Sequence, residues 1–278
     1  QMCIRDRNQA MWADDSTTTN LNTLVDRGYH IFGPAEGKQA CGDVGPGRML
    51  EPAQLLELSS SLFESGLLAG KNIVITGGPT REAIDPVRFI SNHSSGKMAY
   101  ALAAEAVAAG AKVTLISGPV NLATPDSVKR IDVVSATQML DATLENMGDC
   151  DVFLGVAAVA DYRPAEVEVQ KIKKSDEQMQ LTLIKNPDII SEVAKLDRKP
   201  FVVGFAAETN DIVSNGKDKL TRKNLDMLFA NNATETFNSD SISVTALTRT
   251  RESELSAGNK NVVAKNMLQL IATVLGAR

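Results

Sequence analysis

Histidine and cysteine are scarce in this chain of 278 residues, and their scarcity excludes several classes of site. With two histidines in all, His30 and His93, the chain has too few for a histidine-rich metal centre. The three cysteines, Cys3, Cys41 and Cys150, are odd in number and have no paired spacing. This usage argues against a disulfide framework or a CxxC metal site, and it indicates a reducing compartment.

Long apolar runs and an excess of basic residues are also lacking. Even the alanine-rich run carries Glu105 and Lys112, so no segment is apolar enough to span a bilayer, and the N-terminus lacks the apolar core of a signal peptide. The net charge of −5 gives no overall attraction for nucleic acid, so an anion site requires a local basic cluster. We therefore expect a cytoplasmic protein with neither membrane nor nucleic-acid partners.

What is present is enough apolar sequence for a substantial core, since 43% of the residues are hydrophobic. Residues 1–7 match nothing that follows and are left out of the fold prediction. Residues 8–52 are polar and loop-rich, with five glycines and two prolines in "GPAEGKQACGDVGPGRML". A helix begins at Pro52 and is predicted to run to 69, so that 53–70 forms a linker helix before a domain at 71–278.

Strands alternate with helices in that domain. We predict strands at 71–76, 112–117, 130–134, 151–160, 200–209 and 227–232, and helices from 94 or 95 to 109 and at 136–147, 186–196 and 211–224. "SISVTALT" adds one more strand, and the amphipathic tail closes the chain as a helix. The alternation predicts an α/β fold, a Rossmann-like parallel sheet with helices on both faces.

The first strand-to-helix junction is longer than usual and matches neither common phosphate-binding motif. The strand ends at Thr76 and the helix begins near Ser94, one of two serines that could cap it, and Met98 follows Gly96-Lys97 where a P-loop needs Ser or Thr. Backbone N–H groups at this helix start could bind an anion. Alternatively, Gly96 only lets an alanine-rich helix pack close to the sheet.

Two further stretches contain basic residues near the predicted end of a strand. In "GVAAVADYRPAEVEVQKIKK", small residues at a strand end could lie against a planar base, Asp161 follows in the loop, and a lysine triplet comes after it: Lys171, Lys173 and Lys174. Taken alone, a lysine run is more often a solvated face than a phosphate site.

In "KDKLTRKN", Lys219 and Lys223 share one helical face, which fits a phosphate partner or an exposed basic helix about equally well. Phe205 lies at another strand end and is either a base-stacking ring or part of the core.

Together, "ITGGPTREAIDPVRFISNHSSGKM", "AAVADYRP", "KIKK", "KNPDI", "VVGFAAET" and "RKNLD" resemble the phosphopantothenate–cysteine ligase domain of the bifunctional coenzyme A biosynthesis family. The resemblance runs in order from about residue 71 to the end. It implies that 4′-phosphopantothenate attacks the α-phosphate of CTP, with Mg²⁺ at the phosphates, to give an acyl-cytidylate and pyrophosphate. Cysteine then displaces CMP to form the amide. The metal ligands are left unassigned.

The same resemblance implies the site residues. Asn92, Arg88 and Lys171 are catalytic, with Asn92 as oxyanion donor, and Asn92 and Gly96 contact the acyl substrate. The residues placed around CTP are Gly155, Val156, Ala157, Asp161, Lys171, Asn186, Pro187, Asp188, Ile189, Phe205, Lys219 and Lys223. The family's ligase domains form homodimers, so a homodimer is expected.

Upstream, "NQAMW" and "ACGDVGPGRMLEP" resemble the end of the FMN-dependent decarboxylase domain of the same family. Cys41 matches its proton donor and Asn8 a substrate-carboxylate contact. Arg5-Asp6-Arg7 stands where the family has Pro-Ala-Met, so we expect decarboxylase activity to be lost here and Cys41 to be idle. The alternatives left open are a nicotinamide-dependent dehydrogenase, a non-catalytic nucleotide-binding module, and a chain whose activity is the decarboxylase.

Overall fold

The computed structural model describes residues 8–39, 42–61, 66–173, 179–208, 211–232 and 241–276. The chain divides into two compact units, Gln1–Glu64 and Ser65–Arg278. Within the described residues, no helix combines the length and hydropathy needed to cross a membrane.

The first unit contains more regular structure than its polar composition suggests. Its elements are α1 (Gln9–Trp12), α2 (Asp15–Asp26), β1 (Ala35–Lys38), β2 (Val44–Arg48) and α3 (Pro52–Ser61). The strands β1 and β2 form an antiparallel pair. Helix α2 buries none of its residues, and Asp14 caps it by accepting from the Ser16 N–H. The apolar residues of α2, such as Leu21 and Leu24, lie in a mostly polar sequence, so the helix is hard to distinguish from a loop by composition.

The linker helix is shorter than predicted. Helix α3 is described to Ser61, whereas residues 67–70 form a turn, so the predicted extension to 69 is wrong there. Gly66 and Gly70 have φ angles of +63° and +72°. A left-handed conformation is incompatible with a right-handed helix at that residue and suits glycine, which has no Cβ.

The second unit is built around one sheet. In chain order its elements are β3 (Asn72–Gly77), β4 (Arg81–Ala83), β5 (Phe89–Ser91), α4 (Lys97–Ala108), β6 (Lys112–Ser117), β7 (Val128–Asp132), α5 (Ala136–Glu145), β8 (Val152–Gly155), β9 (Tyr162–Pro164), β10 (Leu183–Lys185), α6 (Ile189–Ala194), β11 (Phe201–Glu208), α7 (Ile212–Arg222), β12 (Met227–Asn232), β13 (Ser241–Leu247), β14 (Glu252–Asn259) and α8 (Lys260–Gly276).

Eight strands form the sheet in the order β7-β6-β3-β8-β11-β12-β13-β14. The six strands from β7 to β12 are parallel, and β13 and β14 extend the sheet antiparallel. From β3 the chain builds outward through β6 and β7, then returns to the other side of β3 with β8. The order therefore reverses between β3 and β8, and such a reversal opens a crevice at the carboxyl ends of the strands. The predicted α/β, Rossmann-like fold is confirmed.

Alternate residues of each strand enter two separate cores. On β3, Ile73 and Ile75 pack with α4 and α8, whereas Val74 faces the side covered by α5, α6 and α7. Since both faces are buried, the central strands are continuously apolar, as their sequences predicted. Gly77 ends β3 beneath α4, and a Cβ there would lie 2.5 Å from the Ala99 Cβ. Glycine on the strand and alanine on the helix thus permit close packing.

Two predicted elements are shorter than expected. The strand predicted over 151–160 stops at Gly155, and the helix predicted over 186–196 is Ile189–Ala194. Residues 156–160, after the strand, and 186–188, before the helix, form loops at the carboxyl edge of the sheet, where the candidate site lies.

Candidate functional site

The loops after β3 and β8 are joined to each other at the crevice. The Ala158 N–H donates to the Gly78 carbonyl at 2.9 Å, and the Thr80 N–H donates to the Ala158 carbonyl at 3.3 Å. The fully buried Thr80 also accepts from the Ala160 N–H through Oγ1 at 3.0 Å. The unusually long junction is therefore an ordered extension of the sheet edge.

A short hairpin in that junction carries Asn92 to the loop after β8. Strands β4 and β5 pair antiparallel, and Ser91 Oγ donates to the Thr80 carbonyl at 2.7 Å. Asn92 Nδ2 then donates to the Ala158 carbonyl at 3.0 Å. The structure thus brings Asn92 beside the predicted nucleotide residues 155–157, although they are more than sixty positions away in sequence.

Gly155 also has a packing reason to be glycine. A Cβ at this position would lie 2.9 Å from Ile190 Cδ1 of α6. Its neighbours Val156 and Ala157 are half-buried, and Val156 donates its N–H to the Thr76 carbonyl at 3.2 Å. This small-residue strand end lies at the carboxyl edge of the sheet, packed against α6.

Arg88 is held by Asp85, a residue that sequence reasoning treated only as loop punctuation. Arg88 Nε and Nη2 donate to Asp85 Oδ2 at 2.9 and 2.6 Å. This guanidinium hydrogen bond, outweighing the effect of burial, holds the pKa of Asp85 well below its usual range. Arg88 Nη2 also donates to the Ile172 carbonyl at 3.0 Å, next to Lys171. Arg88 therefore connects the hairpin to the lysine-bearing segment.

The Asn186-Pro187 turn is tied to the loop that carries Asp161. Asn186 donates its N–H to the Asp161 carbonyl and its Nδ2 to the Ala160 carbonyl, both at 2.8 Å. Its Oδ1 accepts from Arg163 Nη1 at 2.9 Å. Asn186 thus shapes the turn, while the Asp161 side chain is exposed.

Asp188 and Ile189 follow in that turn and differ in exposure. Ile189 is buried in the core, so only its backbone can face a ligand. Asp188 caps α6 by accepting from the Ser191 N–H at 3.3 Å, and it forms an ion pair with Lys223 at 2.7 Å. Burial acts to raise the pKa of Asp188, but the hydrogen bonds from Lys223 and Ser191 outweigh it and lower that pKa.

Helix α7 presents both predicted lysines to the same strand ends. Lys219 Nζ donates to the Phe205 carbonyl at 3.3 Å, while Lys223 reaches Asp188. The Phe205 ring is half-buried and packs at 5.5 Å between centroids, tilted, on the Phe229 ring. Phe205 therefore belongs partly to the core on the side covered by α4 and α8, while its carbonyl accepts from Lys219.

The start of α4 differs from its predicted form. Gly96 is the N-cap residue, with φ of +74° and no side-chain cap, so the prediction that Ser94 or Ser95 caps the helix is wrong. Ser94 Oγ instead accepts from the Gly96 N–H at 3.3 Å. A Cβ on Gly96 would lie 3.1 Å from Val120 Cγ1 and 3.4 Å from the Gly78 Cα. Gly96 thus has both a conformational and a packing role.

The remaining predicted residues are exposed, belong to the first unit or lie outside the described residues. Lys171 and Lys173 are exposed, and Lys174 and Cys41 lie outside the described residues. In the first unit, Asn8 caps α1 by accepting from the Ala10 N–H and donates through Nδ2 to Asp43 at 3.4 Å. Its predicted substrate contact stays a prediction.

A protein-built magnesium site is not supported. Among the residues that the structure describes, no three His, Cys, Asp or Glu side chains are grouped so as to hold a metal ion. Mg²⁺ commonly binds through one or two carboxylates together with substrate phosphates. The described part of the chain thus contains no such group of metal ligands.

Comparison with known proteins gives concordant matches. The family model described as DNA/pantothenate metabolism flavoprotein C-terminal domain matches residues 68–275. A relative from Vibrio vulnificus (strain CMCP6), the coenzyme A biosynthesis bifunctional protein CoaBC, is 50% identical over 275 residues, covering 97% of this chain and 69% of the relative. The Escherichia coli (strain K12) protein of the same name is 46% identical over 274 residues, covering 96% and 68%.

A solved structure agrees with these sequence matches. The crystal structure of the C-terminal domain of CoaBC has a TM-score of 0.67 and 40% sequence identity to this chain. The match covers 77% of this chain and 100% of that one.

Proposed function

Since the chain belongs to the DNA/pantothenate metabolism flavoprotein C-terminal domain family, we propose that it acts in coenzyme A biosynthesis as a phosphopantothenate–cysteine ligase that uses CTP. One observation carries the proposal. Asn92, the small residues 155–157, Phe205 and the lysines of α7 come from distant parts of the chain and gather at the carboxyl edge of one sheet. The crevice at a topological switch point is the usual ligand position in such sheets.

In the first proposed step, a carboxylate oxygen of 4′-phosphopantothenate bonds to the α-phosphorus of CTP. The bond from that phosphorus to the oxygen bridging the α- and β-phosphates breaks. Pyrophosphate leaves, and an acyl-cytidylate remains. An anion attacks a polyanion here, so fixed cations are needed to lower the repulsion. We assign this role to Lys171, Lys219 and Lys223.

The base of the nucleotide is proposed to lie over residues 155–157, with Phe205 alongside. Backbone groups of the turn at 186–189 would contact it, because Asn186 and Asp188 are themselves held by protein hydrogen bonds. Asp161, exposed on the adjoining loop, is the carboxylate proposed nearest to the nucleotide. Mg²⁺ on the phosphates would supply further charge neutralisation when bound.

In the second proposed step, the cysteine amine attacks the acyl carbonyl, the carbon–oxygen bond to CMP breaks, and the amine loses a proton as the amide forms. The oxygen of the tetrahedral intermediate carries negative charge, which a neutral amide donor can stabilise. Asn92 is the proposed donor, since its Nδ2 already lies at the crevice, beside the Ala158 carbonyl. Gly96 and the first-turn N–H groups of α4 would face the acyl substrate.

A homodimer is part of the proposal. Exposed apolar side chains lie on two neighbouring hairpins. Val87 and Phe89 are on the β4–β5 hairpin, and Tyr162 is on β9, which contacts β4. Clustered exposed apolar residues are typical of protein-interaction surfaces. A reducing, cytoplasmic location stays a prediction from the cysteine content.

The test is pyrophosphate release by the purified chain with 4′-phosphopantothenate and Mg²⁺, with CTP or ATP, and with or without cysteine. The proposal expects release with CTP only when phosphopantothenate is present, and amide product only when cysteine is added. Equal release with ATP would refute the nucleotide assignment. A folded protein that binds CTP without releasing pyrophosphate would instead favour a non-catalytic nucleotide-binding module.

A further inference from the structure

Asp85 is a buried carboxylate whose hydrogen bonds extend beyond its own turn. Its side chain is 0% exposed, and the charge is compensated entirely by protein donors on two segments. Oδ1 accepts the backbone N–H groups of Val87 and Arg88, each at 2.8 Å. Oδ2 accepts Arg88 Nε and Nη2 and, at 3.2 Å, the backbone N–H of Ile172.

The two carboxylate oxygens of Asp85 therefore have different structural roles. Oδ1 closes a local turn, which a neutral Asn or Ser could also close. Oδ2 instead bonds a segment 87 positions away in sequence, and Arg88 Nη2 completes the connection through the Ile172 carbonyl at 3.0 Å. Both backbone polar groups of Ile172 are thus held by the Asp85–Arg88 pair. A buried charge is costly unless it is paired and hydrogen-bonded. Since a neutral residue could close the turn, the turn alone does not explain why a charged carboxylate is buried here.

Ile172 lies between two exposed lysines, Lys171 and Lys173. Consecutive Cα atoms are about 3.8 Å apart, so fixing the backbone of Ile172 fixes where the Lys171 side chain begins. We propose that Asp85 is a positioning residue that, with Arg88, clamps the backbone of Ile172 and so holds Lys171 for pyrophosphate release. This clamp, formed by Asp85, Arg88 and Ile172, rests on the function proposed above for Lys171.

The variant that separates the two roles is Asp85→Asn. Asparagine has the same shape, and its Oδ1 can still accept from Val87 and Arg88. Its Nδ2 then faces the Arg88 guanidinium and the Ile172 N–H, donor against donor, so the turn is kept and the clamp is lost. We expect kcat for pyrophosphate release to fall about 10- to 100-fold with little change in KM for CTP, the scale of a misplacement near 1 Å.

A double-mutant cycle tests whether the loss passes through Lys171. If the clamp acts by positioning this lysine, Asp85→Asn combined with Lys171→Gln should lose no more rate than Lys171→Gln alone. If the two losses multiply, the positioning role is overturned.

Asp226→Asn is the matched control. Asp226 is also buried and accepts the Val202 N–H at 2.8 Å and Lys199 Nζ at 3.2 Å, but at the opposite edge of the sheet. It should cost stability while leaving the kcat for pyrophosphate release unchanged. An equal loss of rate in both variants would show that Asp85 acts only through general stability.

Amide hydrogen exchange at Ile172 provides a readout that needs no turnover. The amide should be protected in the wild-type chain and should exchange at least tenfold faster in Asp85→Asn, while the Val87 amide keeps its protection. Unchanged protection of Ile172 would overturn the clamp. A wild-type chain without pyrophosphate release would refute the proposed function, yet the exchange result would still decide whether Asp85 holds this backbone. Should Asp85→Asn not fold, Asp85→Ser keeps the turn and removes the reach to Ile172.

Discussion

Replacing Asn92 with alanine separates the two proposed chemical steps. If Asn92 stabilises the oxyanion during amide formation, its removal should slow that step about 100- to 1000-fold, or about 2.7–4 kcal/mol. Pyrophosphate release precedes this oxyanion and should change much less. The structural cost is the single hydrogen bond from Nδ2 to the Ala158 carbonyl, about 1 kcal/mol. The catalytic effect therefore exceeds the structural one severalfold.

Asn72→Ala supplies a matched control. Asn72 Nδ2 donates to the Asp149 carbonyl at 3.1 Å, almost the same bond that Asn92 makes at 3.0 Å, but at the amino end of β3. Both variants thus lose an asparagine donor to a backbone carbonyl, and we expect only Asn92→Ala to affect chemistry.

The assay is a single turnover with enzyme in excess over CTP. Pyrophosphate is measured before cysteine is added, and the amide product is measured after a cysteine chase. The proposed role requires normal pyrophosphate release and slow amide formation in Asn92→Ala. Equal slowing of both steps, or slow amide formation in Asn72→Ala as well, would refute the reasoning.

Three other predictions follow from separate parts of the structure. Lys171→Gln should reduce pyrophosphate release from CTP about 100-fold or more even without cysteine, and normal release would make this lysine a solvated surface residue. Gly118→Ala should lower the free energy of unfolding by about 1–3 kcal/mol in urea titrations, because its Cβ would lie 1.8 Å from the Pro79 carbonyl oxygen. A Cβ at Gly148 would meet nothing within 4 Å, so Gly148→Ala should leave the stability unchanged. Because the pKa of Asp85 is lowered in the folded state, its carboxylate stabilises the fold above about pH 4, and this stability is lost as the pH falls below that value. In urea titrations at decreasing pH, the free energy of unfolding should therefore fall less steeply in Asp85→Asn than in the wild type.

The central parallel strands could be predicted from sequence because they are buried on both faces. Continuous apolar runs such as the one in β3 are readable without any partner. Strand β14 was missed for the opposite reason. Its sequence "ESELSAGN" is polar, and among the described strands it pairs with β13 at the sheet edge, so neither hydrophobicity nor an alternation of apolar residues marks it.

The site was predictable only where local sequence carries the information. Asn92 and Lys171 were identified through a resemblance, and the spacing of Lys219 and Lys223 already placed them on one face. Asp85 was not, because its role lies in a bond to Ile172, 87 positions along the chain. An Asp three residues before an Arg could signal the turn but not its distant partner.

The partners of the lysines on α7 bear on how a nucleotide could enter. Lys223 is paired with Asp188, whose side chain is 44% exposed, so the pair is partly open to solvent. Ion pairs of this kind contribute about 1 kcal/mol or less, whereas hydrogen bonds to charged groups contribute about 1.5–3 kcal/mol. A phosphate could therefore replace Asp188 at Lys223 with a net gain, and Asp188 would keep its bond to the Ser191 N–H. Under the proposed function, the ion pair holds Lys223 in place before the nucleotide binds. Because the pair is weak, Lys223 can leave Asp188 at little cost in free energy when a phosphate arrives.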